Sequence, residues 1–176
     1  PFGEYVPMKK YLPFLKKLTE GAAGDFSKGS QLAPLVHGDI KIGMLICYEV
    51  IFPELAQDRV ARGANVLINT SNDAWYGPTS APYQHRDLTL LRAVEQDRYL
   101  VRSTNTGISA IFDGRGRPLF QTDLFVATSE KSEHVKLLTT STPYHMAYWF
   151  WVLVGPCLVV LSVLSSHVFA NKKQSS

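Results

Sequence analysis

Residues 41–54 read KIGMLICYEVIFPE, and this stretch decides the fold. Ile42 to Ile46 is apolar around a single glycine, the composition of a short strand buried on both faces. The run stops at Cys47-Tyr48-Glu49. Pro53 with Glu54 behind it marks a helix start, because proline has no N–H to satisfy and its fixed φ suits the first turn. Cys47 therefore falls between a strand end and a helix start. Open α/β sheets place their chemistry there, at the carboxyl ends of the strands. A tight turn would lift the thiol out of the core, beside backbone N–H groups that favour a thiolate and hold an oxyanion. A lone Cys beside a strand is also commonly a small buried hydrophobe. The neighbourhood separates the two readings. Tyr48 and Glu49 stand where a core strand would stay apolar, and NTSNDAWYG over Asn69–Gly77 again runs from a strand into a polar turn.

Outward from this anchor, strand and helix patterns alternate. Gln31–Val36 and Gly38–Ile46 read as strands. Glu54–Arg62 reads as a helix closed by Gly63, and Val66–Asn69 as a short buried strand. Asn72–Pro82 is a loop of turn residues and aromatics. Asn72 and Asp73 suit Asx turns that shape it. Tyr83–Arg98 carries the clearest helical periodicity. Tyr99–Ser103 follows as a strand. Ser109–Phe112 and Arg117–Phe120 flank Asp113-Gly114-Arg115-Gly116, a hairpin by its turn chemistry. Val135–Leu138 is expected as a last strand. The order predicts an α/β domain with a largely parallel sheet. Before the anchor, Pro1–Pro7 is a turn-rich loop with Glu4 as its one charge. Met8–Leu18 is a basic amphipathic helix suited to solvent or to a headgroup surface. Gly21–Gly29 lacks phosphate-loop spacing and reads as a flexible connection.

The motifs CYEVIFPEL, GANVLINTSNDAWYG and QHRDLTLLRAVEQDRYLVRSTNTGISAIFDGRG, in this order, resemble the carbon-nitrogen hydrolase (nitrilase) superfamily. The opening PFGEYVP and the hydrophobic C-terminus narrow the resemblance to the branch that acylates bacterial apolipoproteins. It implies a nitrilase-like α-β-β-α sandwich, present in part over residues 1–143. A transmembrane helix over 144–168 and a short basic tail over 169–176 are expected to follow. It implies Cys47 as a nucleophile that takes the sn-1 acyl chain of a phospholipid such as phosphatidylethanolamine as a thioester. The acceptor would be the N-terminal amine of a diacylated apolipoprotein. It also implies a catalytic Lys just before Pro1, held by Glu4, and a general-base Glu further upstream. The chain opens inside a motif and reads as a piece of a longer protein, so these 176 residues alone are expected to be inactive.

The backbone N–H of Tyr48 is the natural oxyanion donor, since it follows the nucleophile. Glu49 is expected to orient or close the pocket. Trp75, Tyr76 and Tyr83 are candidates for an acyl or glyceryl site, with Asn72 beside them, although aromatics are commonly core. His85 is a second candidate base, and a helix-head His is also commonly a cap or core contact. Two other readings stay open: a membrane-anchored amidase, and a non-catalytic remnant.

Ala147–Ser166 contains no charged residue. As a helix it would cover about 30 Å, the thickness of a bilayer core. Tyr144, Tyr148, Trp149 and Trp151 cluster at one end as an interfacial belt, and Lys172 and Lys173 follow the other. Positive residues stay inside, which puts the α/β domain on the periplasmic side of an inner membrane. Gly155-Pro156 predicts a kink. The net charge of +3 and the lack of a basic run with interleaved aromatics give no support for nucleic acid binding. Cys47 and Cys157 are the only cysteines, too few and too far apart for a disulfide framework or a CxxC metal site. No cofactor is expected.

Overall fold

The computed structural model describes residues 33–131 and 135–174. The Glu4 loop, the basic helix Met8–Leu18 and the Gly-rich connection lie outside them. The chain divides into two units, residues 1–139 and 140–176.

The first unit holds a six-stranded sheet with strands in sequence order. They are β1 (Leu35–His37), β2 (Ile40–Ile46), β3 (Val66–Ser71), β4 (Leu100–Thr104), β5 (Ala110–Phe112) and β6 (Pro118–Gln121). Helix α1 (Pro53–Ala61) links β2 to β3, and α2 (Ala81–Gln96) links β3 to β4. These two crossovers make β2, β3 and β4 parallel. The remaining pairings, β1–β2, β4–β5 and β5–β6, are antiparallel, so the sheet is mixed rather than largely parallel. Connection length explains this. The segments before β2 and after β4 are too short for a crossover, and short links return the chain antiparallel.

Pro53 opens α1, as its sequence position predicts. Helix α2 begins two residues earlier than its periodicity suggests, with Pro82 in its first turn, and stops at Asp97 in a left-handed conformation (φ 46). Asp113 fastens the β5–β6 turn. Its Oδ1 accepts the N–H groups of Arg115 and Arg117 at 2.9 Å each. Val135–Leu138 forms no strand; among the described residues its backbone bond to the sheet domain is a single one, from Leu138 N to Asn65 O at 3.1 Å. A single bond does not make a ladder.

Cross-strand register sets the core. Leu45, Asn69, Arg102 and Ala110 are successive partners across β2 to β5. Partners share a face, and faces alternate along each strand. One face therefore carries Leu45, Leu67, Leu100, Ala110 and Phe112. These pack with Val50, with Ala56 and Val60 of α1, and with Ala93 of α2. Both helices thus cover the same face. On the opposite face Ile42, Met44, Ile68 and Val101 are half-buried among the described residues, while Val66 and Ile111 are buried. One helical layer on one sheet is half of an α-β-β-α sandwich.

The second unit holds a short helix α3 (Pro143–Met146) and the long helix α4 (Tyr148–Gln174). The stretch Tyr148–Ser165 is long and apolar enough to cross a membrane. Its apolar side chains, among them Leu153, Leu158, Val160, Leu161 and Leu164, are exposed on all sides. That pattern suits a helix whose surroundings are themselves apolar. The helix runs without interruption through Pro156.

Candidate active site

The carboxyl ends of β2, β3 and β4 lie side by side, and each delivers polar groups. At the end of β2 the chain turns at once into a 3-10 segment, Cys47–Ile51. Cys47 has φ 50. L-residues avoid this left-handed region at a cost of about 1–2 kcal/mol, so surrounding bonds must hold it. They do. Glu49 Oε2 accepts the N–H of Ile46 at 2.8 Å, tying the turn to the strand before it. From the neighbouring strand, Asn69 Nδ2 donates to the carbonyls of Leu45 (2.8 Å) and Cys47 (3.2 Å). The Cys47 side chain is half-buried and free of any disulfide.

The end of β3 lies beside it. Ser71 Oγ sits 3.5 Å from Cys47 Sγ and 2.6 Å from Asp73 Oδ1. Asp73 is buried and pairs with Arg102 of β4, Nη2 to Oδ2, at 2.6 Å. Asp73 therefore does more than shape a loop, which is the role its Asx pattern suggested. Its backbone N–H is taken by Asn105 Oδ1 at 3.1 Å. Burial alone would raise the Asp73 pKa. The nearness of His85, the Ser71 hydroxyl and the Arg102 charge outweigh that and hold it below the ordinary carboxylate range. Arg102 is held below its own ordinary value, by burial first, with the Asp73 charge opposing. Gly107 leaves room for the carboxylate: a Cβ there would overlap Asp73 Oδ2.

His85 of α2 is 3 % exposed and joins this group. Its Nδ1 lies 3.2 Å from Asp73 Oδ1 and 3.1 Å from Arg102 Nη2. One ring nitrogen can donate to the first or accept from the second, not both. If it accepts, every N–H of Arg102 has a partner. Nε reaches Ile108 O, Nη1 reaches Asn69 Oδ1 and Thr89 Oγ1, and Nη2 reaches Asp73 and His85. If it donates, it meets the Asp73 carboxylate, the contact that helps hold the Asp73 pKa down. Nε2 is buried without a partner among the described residues. His85 is thus a buried core contact, the commoner role for a His at a helix head.

Tyr48 and Tyr76 close over His85, with ring centroids 6.2 and 5.6 Å from it. The Tyr76 hydroxyl pKa is raised, by burial first and then by the nearby Asp73, Cys47 and Tyr48 charges. Asn72 makes the Asx turn its type suggests. Its Oδ1 accepts from Ala74 N at 3.1 Å and from Asn105 Nδ2 at 2.7 Å. Trp75 is 81 % exposed and Tyr83 is also exposed, so their rings face outward rather than pack. Thus Cys47, Tyr48, Glu49 and Tyr76 come together in one place. Glu4 lies outside the described residues. Among the described residues no group of His, Cys, Asp and Glu could hold a metal ion.

A parallel β-α-β-α-β core with a half-buried thiol on its carboxyl edge defines the class of protein. The carbon-nitrogen hydrolase family model matches residues 6–132, and the chain belongs to that family. It is 55 % identical, over 126 residues, to an apolipoprotein N-acyltransferase of Geobacter metallireducens, covering 69 % of this chain and 24 % of that protein. With the apolipoprotein N-acyltransferase of Methylococcus capsulatus it shares 32 % over 178 residues, all of this chain and 34 % of the relative. The chain thus spans about a quarter to a third of such relatives' length. Among solved structures, an amidase mutant from Nesterenkonia sp. AN1, carrying acrylamide on its active site cysteine, is 28 % identical. It aligns with TM-score 0.46 over 57 % of this chain and 42 % of that one.

Proposed function

We propose that this chain is the carboxyl-terminal part of an apolipoprotein N-acyltransferase in a bacterial inner membrane. One observation carries the reading: Cys47 is held in a left-handed turn at the carboxyl ends of the parallel strands. Such a turn presents a thiol rather than burying it. In the proposed reaction the Cys47 sulfur attacks the sn-1 ester carbonyl of a phospholipid of the phosphatidylethanolamine type. A C–S bond forms, the C–O bond breaks, and the lysophospholipid leaves with the proton that a general base took from the thiol. The N-terminal amine of a diacylated apolipoprotein then attacks the thioester. A C–N bond forms and the C–S bond breaks; the base takes the amine's proton and hands it to the departing sulfur, which returns as the thiol.

The chain's own residues take definite parts. The first N–H groups of a helical turn have no acceptor within it, so the amide of Tyr48 is free to meet the oxyanion. Glu49 fastens the turn through Ile46. Glu4 would hold a Lys preceding Pro1. Trp75, Tyr76, Tyr83 and Asn72 would border the acyl and glyceryl groups. Tyr48, next to Cys47 in the chain and exposed, gives the thiol an apolar border that suits a lipid substrate better than a small amide.

The test is incubation of the full-length protein with acyl-labelled phosphatidylethanolamine and a diacylated lipopeptide. Transfer of label to the lipopeptide amine is the expected result. Ammonia release from simple amides with no such transfer would establish the amidase instead. Orientation has its own check. With α4 spanning the membrane and Lys172 and Lys173 inside, a reporter fused after Ser176 should be active only as a cytoplasmic fusion. Alkaline phosphatase activity at that point would reverse the assignment.

A further inference from the structure

The geometry assigns Ser71 as a positioning residue for Cys47, and this rests on the nucleophile reading above. Ser71 Oγ contacts both the sulfur (3.5 Å) and Asp73 Oδ1 (2.6 Å), yet a hydroxyl has one hydrogen to give. While Cys47 is a thiol, the carboxylate takes it, because an O–H···O⁻ bond of this length is the stronger of the two. The Ser71 lone pair then accepts the S–H of Cys47 and fixes its rotamer. Once the thiol proton has gone to the reaction's base, the sulfur is an anion and that lone pair would repel it. The hydroxyl then turns its hydrogen from Asp73 to the sulfur. No bond of Ser71 breaks and its proton stays on Oγ. Asp73 can release that hydrogen because Arg102 still donates to its other oxygen at 2.6 Å. Ser71, Asp73 and Arg102 thus form a chain from the buried β4 to the sulfur, and the rotor at its end serves both protonation states of Cys47.

The test uses the full-length protein and follows iodoacetamide alkylation of the Cys47 peptide by mass spectrometry across the neutral pH range. Ser71→Ala should slow alkylation roughly tenfold, the value of one hydrogen bond to a charged group. Ser71→Thr keeps the hydroxyl and should restore most of the rate. Ser71→Thr should melt close to the parent, while Ser71→Ala, which also takes away the O–H that Asp73 accepts, should stay folded and melt somewhat lower. The same split should appear in acyl-enzyme formation, with kcat reduced and KM for phospholipid unchanged. Parental alkylation by Ser71→Ala at every pH would overturn the assignment. So would failure of Ser71→Thr to recover, because a merely structural role would not need the hydroxyl. The Cys47→Ala protein separates this from the nucleophile reading. A blank there with unaltered Ser71→Ala kinetics defeats only the Ser71 proposal. Label retained by Cys47→Ala defeats both.

Discussion

Cys47→Ser in the full-length protein is expected to abolish acyl transfer, by roughly 10⁴-fold or more. Serine fits the same left-handed turn, so folding should be unchanged. An alkoxide, however, is far harder to form than a thiolate near neutral pH, and a site arranged for sulfur seldom holds a base strong enough for an alcohol. Cys47→Ala should likewise leave nothing to trap as an acyl-enzyme. The measurement is gel autoradiography after incubation with radiolabelled phosphatidylethanolamine, with and without lipopeptide. Thermal melts of all three proteins run alongside it. Covalent label on the alanine variant would refute the nucleophile assignment outright.

The second large effect is on stability. Arg102→Met should destabilise the protein by about 3–5 kcal/mol, the usual result of removing one partner from a buried ion pair. Asp73 would be left buried without its cation, while Asn69, Thr89 and Ile108 would each lose a donor. The loss is a large share of the ~5–15 kcal/mol by which native proteins are stable. The exposed Arg62–Asp58 pair is the control, and Arg62→Met should leave the transition where it is. Urea unfolding of the three proteins distinguishes the cases; equal midpoints for Arg102→Met and parent would show that the network contributes nothing. The same pair gives a pH dependence. The folded Asp73 pKa lies below its unfolded value, so its contribution is complete above the unfolded value. It is lost as pH falls through the folded one. Arg102→Met should therefore flatten the acid limb of the stability curve.

The alternation of strands and helices was plain in the sequence because it rests on local signals. Pro53 starts α1, and Asp113-Gly114-Arg115-Gly116 turns the last hairpin. Val135–Leu138 misled because a short apolar run looks like a strand whether or not another strand is there to pair with it. Cys47 stood out because polar residues follow it at once. Its supports did not. Asn69 and Arg102 are the polar residues that end the apolar openings of β3 and β4, a signal that was present at both positions. Their purpose depends on which strand lies next to which, and sequence spacing does not give register. Asp73 and His85 posed the same difficulty. Twelve positions apart, one read as a loop residue and the other as a helix head, yet they meet in the core.

The row that runs Leu45, Asn69, Arg102 across adjacent strands also proofreads the sheet. Moving a strand by one residue turns its side chains to the other face. If β3 slipped against its neighbours, Asn69 would leave the Leu45 and Cys47 carbonyls. A slip of β4 would carry Arg102 away from Asp73. An all-apolar strand would tolerate such an error, since one buried aliphatic resembles another. Here a misaligned sheet buries an unpaired charge, so the alignment that sets the thiol in place is also the one that the buried ion pair favours.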